Sequence, residues 1–433
     1  MTLVVERQHS TYVVTFEGEH VRMVFDHLRN GTSALTAEVD ILTSLPGYGP
    51  LIRDGQLNLL SEQTQGQWAR KCALRCPEVT DWEGFIMEAC RAVRKLLREG
   101  EPSVALRDIP RPAAGSWLIR GLTLARLPTL VFGDGSAGKS LLTLAIAETL
   151  QTSRRELLGL DPPAERVNVL WLDWEYDGWE HAQRSRAMLG LGTESDIRYR
   201  RMSGPLADQV DAIEKEVDRH TIGHIVVDSA AYACGGKPED SEQTNRLFDA
   251  LRRLDRGSTI IAHETKEAGR FGSHDKPFGS AYWYNGARVI WFVQKQQDTQ
   301  DEQESVVRFH VGLFNKKTNQ GRLWKPMGFA VEIKNDDIGD MLSCRFERED
   351  VRDIEELRAN TPLREQIKYC ISRGGRPLNV AEIAKELDAK DNSILKTVQR
   401  MVKNRELVVV DVRGTVAFYG LAVNRVDLGD IDF

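Results

Sequence analysis

The sequence predicts an α/β protein: a mostly parallel central sheet, preceded by a small α+β domain and followed by a small helical domain that ends in a β-hairpin. Three observations carry that expectation. Near-continuous apolar runs at 167–172, 224–227, 258–262 and 288–293 alternate with helical stretches, as strands buried on both faces do. Residues 1–45 alternate apolar and polar side chains between Gly-containing turns, the pattern of a meander. From 361 the chain reads as three helices and then two strands around Arg413-Gly414.

Taken in order, residues 1–100 form the first domain. Strands at 12–16, 20–25 and 35–41 are separated by Gly18 and by Asn30-Gly31, and residues 57–99 turn helical. Asp81 is placed to cap a helix that carries Phe85, Ala89, Val93 and Leu96 on one face. Residues 101–115, with Pro102, Pro110 and Pro112, read as a linker. The central domain spans 116–350 and the C-terminal one 351–423. In the latter Leu395, Val398, Met401 and Val402 are expected to face inward on a helix over 393–405, and the plan is that of a winged helix-turn-helix. Residues 424–433 form an acidic tail expected to be flexible.

At 433 residues the chain exceeds one ordinary core, and 41% hydrophobic with 28% charged residues is a globular composition. No stretch approaches the ~20 apolar residues of a membrane span, and residues 1–6 lack the basic start and apolar run of a signal peptide. The six cysteines are scattered, with Cys72 and Cys76 four apart and no C-x-x-C, so neither zinc nor a disulfide framework is expected. A cytoplasmic protein with reduced thiols fits. The net charge of −6 excludes coating of nucleic acid through bulk basicity and leaves local basic loops open.

The chemistry concentrates at 128–140. A short apolar strand runs into Gly133, Asp134, Gly135, Ser136, Ala137, Gly138, Lys139 and Ser140, and Leu141 opens a helical stretch. Strand, glycine loop and helix are the context of a P-loop, whose backbone N–H groups and helix dipole hold phosphates. Lys139 is expected on the β- and γ-phosphates of ATP, and Ser140 on Mg²⁺. Asp228, ending an apolar strand, is the expected second Mg²⁺ holder. The strand at 170–175 brings Asp173 and Glu175 to the same sheet edge, on the same side if alternation continues. Glu175, longer and nearer the edge, is the candidate general base, with Asp173 as fallback. His263, ending the next strand, is the candidate γ-phosphate sensor.

The segments 133–140, 170–175, 225–228, 263–266, 278–281 and 287–288, with the lead-in 117–121, resemble the RecA-fold ATPases of the RepA type, hexameric replicative helicases of plasmids and phages related to the DnaB family. The resemblance covers about 115–335. It implies a RecA-like core, a catalytic glutamate at Glu175, and a basic finger reaching the neighbouring subunit's γ-phosphate. The finger hairpin at 312–322 offers Lys316, Lys317 and then Arg322, and Arg288 is an alternative at the subunit boundary.

In a RecA fold the loops after the third and fourth core strands face the channel of the ring. Here these are 230–244 and 264–280; the second carries Lys266, Arg270, Phe271 and Lys276, cations and an aromatic suited to single-stranded DNA. Lys396, Arg400 and Arg413 give the C-terminal domain a duplex-binding pattern. The expectation is an ATP- and Mg²⁺-dependent DNA motor, a ring-shaped replicative helicase of a phage, plasmid or other mobile element. The N-terminal domain would bind a replication partner or oligomerise, the tail would solubilise or dock a partner, and no primase metal motif is seen. Two alternatives share the ATP site: a helicase loader or recombination mediator that does not unwind, and an ATP-gated winged-helix regulator or initiator.

Overall fold

The computed structural model describes residues 2–422 except 9, 32–33, 101–102, 111–114, 191, 238, 265–280 and 298–304, with the backbone alone of Gln8, Gln297, Glu355 and Glu356. It divides into two units, Met1–Ala113 with Asp208–Arg219, and Ala114–Ala207 with His220–Phe433.

The first unit is a five-stranded antiparallel meander in chain order: β1 (Thr2–Gln8), β2 (Thr11–Glu17), β3 (Val21–Asn30), β4 (Leu35–Thr43) and β5 (Ile52–Asn58). It is followed by α1 (Glu62–Arg75) and α2 (Trp82–Glu99). Alternate residues Leu35, Ala37, Val39 and Ile41 of β4 are buried with Phe85, Ile86, Ala89 and Val93 of α2. Period 2 on the sheet and period 3.6 on the helix thus present one apolar face each. Asp81 caps α2, accepting the Gly84 N–H at 2.9 Å. The expectation of three strands and a helical region from 57 falls short. β1 and β5 are the sheet edges, and β5 carries Arg53-Asp54-Gly55-Gln56, too polar to read as a strand until its partner is known. Within the expected linker, Leu106–Asp108 form a 3₁₀ turn.

The second unit opens with the hairpin β6 (Trp117–Ile119) and β7 (Thr123–Leu124). It continues β8 (Pro128–Gly133), α3 (Lys139–Thr152), β9 (Asn168–Asp173), α4 (Gly178–Leu189) and β10 (Arg198–Arg201). After α5 (Leu206–Arg219), of which 208–219 group with the first unit, come β11 (Ile222–Asp228), α6 (Ala230–Ala233), α7 (Ser241–Leu254), β12 (Gly257–His263), α8 (Ala281–Gly286) and β13 (Val289–Gln297). Three long strands, β14 (Val306–Thr318), β15 (Met327–Asn335) and β16 (Met341–Glu349), complete a nine-stranded sheet. Its order is β10-β9-β11-β12-β8-β13-β14-β15-β16. The first six strands are parallel and the last three antiparallel. The mixed α/β class with a mostly parallel sheet agrees with the sequence. Leu142, Ile146 and Leu150 of α3 lie in one buried cluster with Val131, Trp171, Val226 and Ile261.

Register decides where chemistry can occur. Asp228 pairs with Asp173 across β11–β9, and His263 pairs with Gly133 across β12–β8. Four strand ends therefore form one carboxyl edge, where ligands of open α/β sheets bind.

The chain then runs through α9 (Glu355–Arg358), α10 (Leu363–Gly374), β17 (Leu378–Asn379), α11 (Val380–Glu386), α12 (Asp391–Lys403), β18 (Leu407–Arg413) and β19 (Val416–Leu421). A separate cluster of Ile367, Ile371, Ile383, Ile394, Val398, Met401 and Leu407 holds these elements together. α12 starts two residues earlier than expected, and Ile394 rather than Leu395 is the inward residue, since Ile394 stands at i, i+4, i+7 spacing with the buried Val398 and Met401. β18 is an edge strand and exposes Val408, Val409, Val410 and Val412.

Candidate active site

The loop between β8 and α3 is shaped by two positive φ angles, at Ser136 (+65°) and Gly138 (+81°). Such a reversal turns successive N–H groups toward one centre. Gly133 allows the sheet to close beside it: a Cβ there would sit 2.2 Å from the Val293 carbonyl oxygen. Gly138 gives α3 no side-chain cap, and the first turn of α3 holds no acid. In contrast, α2, α4 and α7 are each capped by an aspartate. The N–H groups and dipole of α3 are thus left for an external anion. Asp134, Gly135 and Ser136 are exposed, Gly138 and Ser140 half-buried, and Ala137 and Leu141 buried. Lys139 is 5% exposed and donates to the Gly133 carbonyl at 3.1 Å and that of Asp134 at 2.6 Å. Burial depresses its pKa, opposed by Asp228 and Asp134.

Asp228 is 1% exposed, and its Oδ2 has no hydrogen-bond partner among the described residues. Burial pushes its pKa up to about 6, the charge of Asp173 adding and the Ser140 hydroxyl opposing. A buried carboxylate oxygen without a donor, beside a serine hydroxyl and an uncapped helix, fits a divalent cation held with a nucleotide. Ser140 and Asp228 would hold Mg²⁺, and the ion would neutralise phosphate charge.

Glu175 lies on the bend after β9, beyond the point where strand alternation applies. Its Oε1 accepts the Ser229 hydroxyl and lies 3.7 Å from His263 Nε2. These partners, His263 first, hold its carboxyl below the usual range against burial. The ionised group, with its side chain 24% exposed, can take a proton from water. His263, with its side chain 47% exposed, stands where a γ-phosphate contact is expected. Asp173 is corrected from fallback base. Its Oδ1 accepts the N–H groups of Glu175 at 2.8 Å and Tyr176 at 3.0 Å, its Oδ2 lies 2.7 Å from His181 Nε2, and it is fully buried. Ser229 and His181 escaped the sequence reading. The only signal for Ser229 was its position after Asp228, and for His181 there was none.

The basic candidates lie elsewhere. Lys316 and Lys317 stand near the end of β14, and Lys317 pairs with Ile290, close to the start of β13. Arg288 precedes that start and donates its N–H to the Pro128 carbonyl. All three therefore sit roughly 15 Å from the P-loop of their own chain, at the opposite sheet edge. Lys317, a candidate finger, is engaged within its own chain. Its Nζ donates to the Tyr284 carbonyl at 2.5 Å and that of Ala287 at 2.8 Å, fixing the α8–β13 turn of its own chain, and burial lowers its pKa. Lys316 Nζ lies 5.4 Å over the Phe292 ring, and Arg322 is exposed in the β14–β15 turn. Lys317→Met is expected to lower stability by about 1–2 kcal/mol in chemical denaturation, with no selective loss of turnover.

The expected loop at 230–244 is corrected too. α6 and α7 take up most of it, and Asp240 caps α7 through the Glu242 N–H at 2.8 Å. Lys266, Arg270, Phe271 and Lys276 lie outside the described residues, as does the tail. Lys396 and Arg400 are exposed on α12. Arg413 pairs with Asp411 at 2.8 Å, and both side chains are exposed.

Strand, reversed loop, uncapped helix and buried carboxylate define a P-loop nucleotide site. A family model described as an AAA domain matches residues 95–269, which include the P-loop, β9, β11 and β12. The match indicates a P-loop ATPase domain. No curated protein matches the chain. No helix among the described residues is long and apolar enough to cross a membrane.

Proposed function

We propose that the chain is an ATP- and Mg²⁺-dependent, DNA-stimulated motor of the RepA/DnaB helicase class, working as a homo-oligomeric ring in the replication of a phage, plasmid or similar element. One observation supports this best: Glu175, Ser229, His263, Lys139 and Asp228 converge on one sheet edge, a hydrolytic set rather than a binding-only switch. In this reading Lys139, Ser140 and Asp228 hold MgATP, Glu175 activates water, and Lys316, Arg322 or Arg288 of a neighbouring subunit supplies the finger. The segment carrying Lys266, Arg270, Phe271 and Lys276 follows His263 directly in the chain, so a γ-phosphate sensor and a DNA-tracking loop would be neighbours. Lys396, Arg400 and Arg413 would touch duplex. The N-terminal domain or the acidic tail would engage a replication partner in the cytoplasm.

A second reading, a loader or mediator that hydrolyses ATP without unwinding, is favoured by the exposed valines of β18, which suit a protein partner better than a phosphate backbone. Steady-state ATPase with and without single-stranded DNA tests the first reading. Stimulation of about tenfold, worth roughly 1.4 kcal/mol of barrier, is expected. Strand separation on a forked duplex then discriminates, since a loader leaves the fork intact.

A further inference from the structure

The geometry points to Asp173 and His181 as a positioning pair that aims Glu175, an inference that rests on the reading of Glu175 as the base. Asp173 Oδ1 gathers two consecutive backbone N–H groups, of Glu175 and Tyr176, so the bend carrying the base is tied to one carboxylate oxygen. The other oxygen lies 2.7 Å from His181 Nε2, three residues into α4. The His181 ring is itself fixed. It is 6% exposed, with its centroid 4.7 Å from that of Trp171 and 5.8 Å from that of Tyr199. Tyr199 in turn donates its hydroxyl to the Tyr176 carbonyl at 3.0 Å, and the Trp174 N–H bonds the Asp228 carbonyl at 2.8 Å. The bend 173–178 is therefore held at its amides, at a carbonyl and at the cation-binding strand. A glutamate on an untethered bend would sample many rotamers. Here the backbone beneath it is locked, and the Ser229 hydroxyl sets its carboxylate. Both Asp173 oxygens and His181 Nε2 are engaged with the chain itself, so the pair acts on the base by placing the bend that carries it.

The test uses the full chain. His181→Phe keeps ring volume and removes the bond to Asp173. It is expected to lower single-turnover ATP hydrolysis about tenfold or more, with binding of a fluorescent ATP analogue within twofold of wild type. His181→Gln, which can again donate to Asp173, is expected to recover most of that loss. The decisive comparison is in the Glu175→Gln background, where His181→Phe should change the residual rate less than twofold, since there is no base left to aim. Asp173→Asn conserves volume and gives the same comparison should His181→Phe not fold. An undiminished effect of either substitution in the Glu175→Gln background, or a nucleotide-affinity loss equal to the rate loss, overturns the positioning role. An active wild type indifferent to both substitutions overturns it alone, whereas a wild type without hydrolysis sinks the ATPase reading as well.

Discussion

Glu175→Gln is expected to bind MgATP as wild type does and to hydrolyse it 10²- to 10⁴-fold more slowly, about 3–5 kcal/mol of barrier. The substitution is isosteric, and the amide oxygen can still accept the Ser229 hydroxyl, so loss of fold is not the anticipated cause. What disappears is the ionised, partly solvated carboxylate that the Ser229 hydroxyl and His263 hold at the sheet edge. The neighbouring carboxylate offers no substitute, because both Asp173 oxygens are engaged by backbone N–H groups and His181. Rapid-quench hydrolysis alongside nucleotide binding checks the expectation, and unchanged turnover would remove Glu175 from the base role. The acid limb of the wild-type profile follows from the same environments. Glu175 is held below the usual carboxylate range, so it stays ionised as pH falls through 6. Asp228 takes up a proton near pH 6. Below that point a proton competes with Mg²⁺, and apparent Mg²⁺ affinity should fall about tenfold per pH unit. Raising Mg²⁺ should shift the limb to lower pH.

Asp228→Asn should make the protein more stable and abolish hydrolysis. The Asp228 carboxyl is raised from 3.8 to about 6, chiefly by burial, so ionising it strains the nucleotide-free fold. A raised carboxyl leaves stability intact below the unfolded-state pKa and erodes it as pH rises through the folded one. The penalty therefore grows between about pH 4 and 6 and is complete at pH 7–8, on the order of 2–3 kcal/mol. An asparagine carries no such charge. Its melting temperature should exceed that of wild type by several degrees at pH 7.5, and the gap should close toward pH 4. Addition of MgATP should raise the wild type and leave the variant unmoved. Differential scanning fluorimetry across pH reads both; a variant that melts lower than wild type at pH 7.5 contradicts a net cost of the buried charge. A variant that melts higher marks the site as one where stability is given up for a ligand.

The ATP loop was legible because its signals are local: an apolar strand, glycines at fixed spacing and a helix start all lie within 25 residues of sequence. Asp228 and His263 were legible for a related reason, since a buried parallel strand ends where its apolar run ends. What failed depends on tertiary partners. Asp173 and Glu175 looked equivalent while alternation was assumed to continue, and only the strand end at Asp173 separates a buried clamp from an accessible base. Lys317 read as a free cation because nothing local announces the Tyr284 and Ala287 carbonyls that hold it. β1 and β5 were missed as edge strands, and Leu395 was chosen over its neighbour Ile394 because both are apolar and lie beside the stripe of Val398 and Met401, which is buried as expected.

The central position of β8 also has a consequence for biosynthesis. The strand that bears the phosphate loop is flanked by β12 and β13, and its end residue Gly133 pairs with His263 and Val293. Its nearest lateral support thus leaves the ribosome about 130 residues after the loop itself, some 7–26 s later at 5–20 residues per second. Until then an apolar strand with two open edges waits for both neighbours, a hazard that favours chaperone capture of the nascent chain. Nascent chains arrested before about residue 263 should fail to retain ATP, while those that expose β13 from the exit tunnel should acquire the site in a single late step.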